Sequence, residues 1–345
     1  MQSTFNRLVI TSALILSAAF LTNGFILVLC GYNPLQAYAT GITGAFGSAH
    51  GLGETLVKSI PFLMTGLSVA IAFRCGIWNI GAEGQFLIGA LAATWFGTKV
   101  AYLLPNISWV AIPLCMTIAI LGGGIWGAIP GILKITRGVN EVISTIMLNY
   151  VALYFVSAMV DGGPLQEISR TGPQSDPIAK WVFLPRIFPS SRIHIGILIA
   201  ILLAIILTFV LFRTSFGYQI RAVGEGASAA EASGISITLN TLRVFFLSGA
   251  LAGLGGAIEL MALAPQLTTT FSPGYGYTAI AVALLAKLNP LVTIASSLLF
   301  GALTMGSYAM QLNIGISNKV TWMMQAIILL FVIGSSSFHL ITKRE

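Results

Sequence analysis

The sequence predicts an all-α fold, a polytopic membrane helix bundle of about ten transmembrane helices, and three observations carry that expectation. Of 345 residues, 56% are hydrophobic and 8% charged, with a mean hydropathy of +0.92, so too few ionisable groups exist to solvate a globular surface. Apolar runs of about 20 residues, long enough to cross a hydrocarbon core roughly 30 Å thick, recur along the chain. The connections between these runs are short, with two exceptions.

The first run, residues 8–30, follows Arg7. A cleaved signal peptide starts the same way, but this run is long and no clear small-residue cleavage site follows it, so an uncleaved first span is expected. Further spans are expected at 59–73, 77–97, 107–133, 142–160, 193–212, 244–263, 277–286, 291–308 and 320–338, the second and eighth of the series being short. With the amino terminus in the cytosol, ten Lys and Arg residues fall inside and seven outside. Four of those seven belong to one long loop, and without it the bias is ten to three, which predicts both termini in the cytosol. That loop, 161–192, carries Pro164, Pro173, Pro177, Pro185 and Pro189 and is expected to be an extracytoplasmic cap or docking surface within a single transmembrane domain, 1–345. The second long polar stretch, 213–243, is expected in the cytosol. Its run from Ser228 to Gly234 is rich in small residues and closed by a glycine, which fits a short surface helix or a plain connecting loop.

Composition also excludes several functions. The formal charge of +7 comes from Lys and Arg scattered between apolar runs, with no basic stripe for nucleic acid. Cys30, Cys75 and Cys115 are too widely spaced for a disulfide framework or a metal site, and no metal is expected. His50, His194 and His339 lie near span ends and are expected to be interfacial or exposed. No His-Glu-x-x-His or Gly-x-Ser-x-Gly pattern is present, so the chain is not expected to be an enzyme.

Small residues four apart let helices approach closely in lipid, and Gly123, Gly127 and Gly131 form one such ridge, Gly249 and Gly253 another. The segment from Trp78 to Gln85 differs, because it puts Asn79, Glu83 and Gln85 inside an apolar run, Glu83 about 10 Å deep. In a regular helix Asn79 and Glu83 share a face and Gln85 points elsewhere. Should Gly81 and Gly84 unwind it, all three could approach one cavity, a common way for transporters to build a site. A satisfied structural hydrogen-bond network explains the same residues equally well. A second interruption, from Ser272 to Tyr277, precedes the short eighth span. The two interruptions occupy equivalent places if spans 2–5 and 7–10 are halves of an inverted repeat.

Four runs then become recognisable: FRCGIWNIGAEGQ (73–85), GVNEVISTIMLNY (138–150), GYQIRAVGE (217–225) with AAEASGI (229–235), and GYGYTAIAVALLA (274–286). In this order, between about Phe62 and Phe300, they resemble the larger permease of bacterial nucleoside-type ATP-binding-cassette importers, in the ribose and branched-chain amino-acid permease superfamily. The resemblance implies a pore in the bacterial inner membrane for a nucleoside or related sugar-containing solute. It also implies a second permease in a heterodimer, cassette ATPase subunits that bind ATP and magnesium, and an extracytoplasmic solute-binding protein. On this resemblance Asn79, Glu83, Gln85, Asn149 and Tyr277 are assigned to the translocation path or gate, and Arg221, Glu225, Glu231 and Gly234 to ATPase coupling. The chain agrees with that division, since it holds no Gly-x-x-x-x-Gly-Lys-Ser/Thr loop and needs no cofactor of its own. The competing expectation is an ion-coupled secondary transporter, for which Glu83 and Glu259 would form a thin relay.

Overall fold

A computed structural model describes residues 17–104, 107–189, 191–317, 319–327 and 330–331. These are helical with no extended strand among the described residues, only isolated bridges. Among the described residues seven helices are long and apolar enough to cross a membrane, or eight if one sharply bent pair counts as a single span. That is fewer than the expected ten, because the eighth expected span is a shorter apolar helix and the last is only partly within the described residues.

The bent pair is α1 (Ser17–Leu29) and α2 (Pro34–Phe46), which meet at 116°. Asn33 caps α2 by accepting hydrogen bonds from the amides of Leu35 and Gln36, and Pro34 opens it, where a missing N–H costs nothing. No span was expected at 34–46, and the first nine residues of the expected run 8–30 lie outside the described residues. Next comes α3 (Ala49–Arg74), which starts ten residues before the expected 59–73 because its polar early residues, Glu54 and Thr55 among them, are buried. The expected span 77–97 shortens from its start to α4 (Ala82–Trp95), which continues through a π turn (Phe96–Val100) and a 3-10 turn (Ala101–Leu103). α5 (Ser108–Arg137), α6 (Glu141–Val160) and α7 (Gly196–Arg213) follow close to expectation.

The stretch 213–243 folds as α8 (Ser215–Glu225), α9 (Ala227–Ala232) and the first turns of α10 (Ile237–Ala262), so the surface-helix expectation holds over the plain loop. Gly234 ends the α9 turn at φ +80°. The eighth expected span is α11 (Tyr275–Leu285), whose 11 residues span only about 16 Å. It is followed by α12 (Pro290–Ile314) and a helical stretch at 319–327; residues 328, 329 and 332–338 of the expected span 320–338 lie outside the described residues.

The chain divides into two compact units, Met1–Lys58 with Leu299–Glu345, and Ser59–Leu298. In the first, Leu27, Ala37, Met310, Ile316 and Met324 form an apolar core, and the Asn23 amide donates to the Met324 carbonyl at 3.2 Å. In the second, α4 and α10 are central. The two glycine ridges are each other's partners: a Cβ on Gly123 would lie 2.4 Å from the Gly249 carbonyl oxygen, and one on Gly253 would lie 2.8 Å from the Gly123 Cα. Gly89 on α4 meets the same place, where a Cβ on it would lie 2.2 Å from the Gly253 Cα. Backbones of α4, α5 and α10 thus touch without side chains between them, which supplies the van der Waals contact that lipid exclusion alone does not.

The loop 161–192 wraps onto the ends of α4 and α10. Amides of Ser175, Ile178 and Leu184 donate to carbonyls of Leu267, Pro265 and Met261, and Ala179 donates to Gly97 in the π turn. Within the loop, the Glu167 carboxylate accepts from the Thr171 hydroxyl, the Gln174 amide at 3.0 Å and two backbone amides. These donors, Thr171 first, hold its carboxyl down at about 2. His194, expected to be interfacial or exposed, is 2% exposed. Gly196 makes room for its ring and donates its amide to His194 Nδ1 at 3.2 Å.

Candidate functional site

The chain unwinds between α3 and α4. Gly76 turns at φ +72°, a conformation that glycine adopts without strain, and residues 77–80 run on outside any helix. Such a break leaves backbone groups without partners, and side chains supply them. Asn149 on α6 does the most: its amide donates to the Ile80 carbonyl at 2.9 Å and its oxygen accepts from the Gly84 amide at 2.8 Å. Thr145 Oγ1 takes the Ile80 amide at 3.3 Å.

Asn79, fully buried, stands inside the break. Its oxygen accepts from the Gly81 amide at 2.9 Å and from Gln85 Nε2 at 3.2 Å. Its nitrogen donates to Gln85 Oε1 at 3.1 Å and to Ser248 Oγ on α10 at 2.8 Å. Ser248 in turn donates to the Ser68 carbonyl at 2.7 Å. The carboxamides of Asn79 and Gln85 therefore pair face to face, the opposite of the helical expectation, because the unwound segment changes the phase of the chain.

Glu83 points the other way. Its Oε2 accepts from the Gly276 amide at 2.6 Å, in the first turn of α11, while Glu83 itself lies in the first turn of α4. A carboxylate between two helix amino termini receives the partial positive charge of both, which offsets the cost of removing it from water. Gly276 is required there, since a Cβ would come 2.1 Å from the Glu83 amide nitrogen. The two glycine-rich interruptions noted in the sequence thus meet. Nearby, the Tyr275 hydroxyl donates to Glu259 Oε1 at 3.4 Å and its ring packs edge to face on Phe62.

Asn79, Glu83, Gln85 and Asn149 come together as a buried framework, none more than 6% exposed. Tyr277 is different: it is 44% exposed, and its hydroxyl meets the Asn149 side chain. The helix Gly81 and Gly84 were expected to unwind does so only before Ala82, and Gly84 is helical, packed against Asn149.

Of the residues assigned to coupling, Glu225, Glu231 and Gly234 are exposed on α8, α9 and the turn after them. Arg221 is part-buried, its guanidinium 5.4 Å from the Phe212 ring centre, and Arg74 at the end of α3 lies at the same distance from that ring. Gly224 seals α8 against this corner, as a Cβ there would lie 2.1 Å from the Arg74 carbonyl oxygen. Sequence reasoning missed Ser68, Ser248, Thr145 and Gly224. The serines carried a signal, being small polar residues in spans, where interhelical hydrogen bonds form. Among the described residues no cluster of His, Cys, Asp or Glu could hold a metal ion.

A broken-helix polar framework inside a bundle of apolar spans defines a multi-pass membrane protein of the transporter type. Residues 51–333 match the family of permease components of branched-chain amino acid transport systems, and the chain belongs to that family. It is 35% identical over 331 residues to the guanosine ABC transporter permease protein NupP of Bacillus subtilis, covering 95% of this chain and 93% of that one. The nucleoside ABC transporter permease protein NupB of Lactococcus lactis is 33% identical, with 94% and 91% covered. The glucose ABC transporter permease protein TsgB13 of Haloferax volcanii is 32% identical, with 95% and 88% covered. A second guanosine permease of Bacillus subtilis, NupQ, is more distant at 27%, covering 72% of this chain and 78% of its own length.

Proposed function

We propose that this chain is one of two permease subunits of an ATP-binding-cassette importer in the bacterial inner membrane, and that its solute is a nucleoside. The observation that carries this is the end-to-end likeness to NupP, 35% identity with 95% of this chain covered. The presence of NupP and NupQ in one bacterium, both guanosine permeases and both similar to this chain, supports a heterodimeric pair. ATP and magnesium belong to separate ATPase subunits, since this chain has no phosphate-binding loop. Arg221, Glu225, Glu231 and Gly234 form the surface that meets them, with both termini on that cytosolic side. The loop 161–192 faces a solute-binding protein outside. Tyr277 contributes to the translocation path, and Asn79, Glu83, Gln85 and Asn149 hold the gate behind it.

The test is affinity purification in mild detergent with identification of stoichiometric partners, followed by uptake of tritiated guanosine into proteoliposomes. A cassette ATPase, a second permease and ATP-dependent uptake are expected. Uptake that persists after ATP depletion and follows a proton or sodium gradient would establish an ion-coupled transporter instead.

A further inference from the structure

Where α5 ends and α8 and α10 begin, the three helices enclose an open groove of about 610 Å³. Ala128 and Ile132 of α5, Phe216 of α8, and Phe246 and Leu247 of α10 supply apolar walls, and Arg243 of α10 is the one charged residue that lines it. Gly124 brings the Phe246 ring down onto α5, since a Cβ there would lie 2.7 Å from the ring.

The groove has a direction. Arg243 is the seventh residue of α10, about 9 Å from its start, whereas Phe246 and Leu247 lie about 14–15 Å along it. On α5, Ile132 is about 8 Å from the end of the helix at Arg137, and Ala128 about 14 Å. The cation therefore stands at the outer mouth, and toward the middle of the bilayer the walls are apolar alone. Arg243 is exposed, and among the described residues it has no ion pair; the pair found there joins Lys134 to Glu141 at 2.7 Å. Arg137 and Arg213, at the same end of the bundle, are likewise exposed without one.

A guanidinium at the level where hydrocarbon gives way to headgroups favours an anion beside it, and basic pockets between membrane helices are places where anionic headgroups bind. A cation at the mouth with hydrocarbon-like walls beneath it matches one kind of molecule, an amphiphile whose phosphate stands above an acyl chain. An apolar helix of another subunit would cover the walls and leave Arg243 without a counter-charge. We infer that the groove binds one anionic phospholipid, its phosphate on Arg243 and the upper part of an acyl chain between Ala128, Phe216, Phe246 and Leu247. Such a site is independent of the solute and of the importer function proposed above.

The test uses the full purified complex, stripped of its own lipid in mild detergent and titrated with phosphatidylglycerol or phosphatidylcholine, the tightest-bound lipid being followed by native mass spectrometry. The wild type is expected to hold phosphatidylglycerol more tightly than phosphatidylcholine, whose own ammonium group cancels the phosphate charge. Arg243→Gln should weaken phosphatidylglycerol about fivefold and leave phosphatidylcholine unchanged, and Arg243→Lys should keep most of the preference. Ala128→Phe, which fills the groove without touching the charge, should weaken both lipids. Glycerol phosphate, which carries the headgroup anion without the chains, should not compete. Equal binding of the two lipids by the wild type overturns the site, as does an Arg243→Gln complex that binds phosphatidylglycerol like the wild type, or an assembled Ala128→Phe complex that does so. Competition by glycerol phosphate would make this a site for soluble anions, and loss of the second permease from the Arg243→Gln complex would make the groove a subunit interface; either result also overturns the lipid site. The wild-type comparison and the competition need no variant, so they decide the matter even where Ala128→Phe fails to fold.

Discussion

Replacing Asn79 with Leu, of similar size, removes four hydrogen bonds at once: those to the Gly81 amide, to both ends of the Gln85 carboxamide and to Ser248. The site is fully buried, so water does not replace the lost partners. Ser248 keeps the Ser68 carbonyl and Ser68 Oγ, which leaves three orphaned groups: the Gly81 N–H and the two ends of the Gln85 amide. At about 1–3 kcal/mol each, with some relaxation, the loss is roughly 3–6 kcal/mol. Adding Gln85→Leu removes two of the three orphans and leaves only the Gly81 N–H. The double variant should then recover about 2–3 kcal/mol, a coupling typical of directly bonded neighbours. The assay is the thermal midpoint of the purified complex in mild detergent, by fluorescence size-exclusion after heating. A fall of more than about 5 °C for Asn79→Leu, partly reversed in the double variant, is expected. A single variant as stable as the wild type, or a double variant whose loss is the sum of two independent losses, would refute the network account.

Gly224→Ala forces a Cβ to within 2.1 Å of the Arg74 carbonyl oxygen, a contact the backbone relieves only by moving. Overpacking of about 1–3 kcal/mol should displace α8, giving a complex that assembles and hydrolyses ATP but loses uptake, measured as the ratio of solute moved to phosphate released. Gly253→Val should part α10 from α5, because even a Cβ would sit 2.8 Å from the Gly123 Cα; reduced membrane yield and a lower thermal midpoint are expected, whereas Gly31→Ala, with no atom near its Cβ, should cost little beyond its φ of +83°. Burial first and Arg192 second push His194 down from 6.5 to about 4, so the folded state holds it neutral and stability gained above about 6.5 is lost as pH falls toward 4. His194→Phe should lessen that acid sensitivity between pH 7 and 4.5, read as the change in thermal midpoint.

The fold class was legible because bilayer crossing depends on length and apolarity, which a sequence displays directly. Helix ends were less so. The start of α4 is set by Gly76 and by the Asn79 and Asn149 side chains, and Asn149 lies 65 residues from its partner Gly84. Nothing local marks that bond, so the apolar run was extended through residues 77–81. α2 was not expected, since at 13 residues it falls short of the roughly 20 apolar residues a straight crossing needs. Both glycine ridges were visible as packing devices, while their mutual pairing was tertiary information. His194 was misplaced because a lone histidine near a span end gives no sign of the small residue, Gly196, that lets it be buried.

The sequence left two accounts of Asn79, Glu83 and Gln85 open, a structural network or a functional site, and the geometry makes them compatible. A break whose polar groups are all paired moves as one piece, since any internal shift costs a buried hydrogen bond. One end of that piece is Arg74 to Gly76, held against Gly224 on α8. The other end is the first turn of α4, where Glu83 grips the Gly276 amide and so the start of α11, two residues from Tyr277. On the proposed function, a displacement of α8 by the ATPase would reach Tyr277 without passing through any flexible side chain other than Glu83. The framework then serves transport because it is rigid, and Glu83, whose grip joins the two interrupted spans, is the member at which stability and coupling separate. Glu83→Gln keeps an acceptor for the Gly276 amide but removes the charge shared by two helix termini, so it should weaken coupling more than assembly.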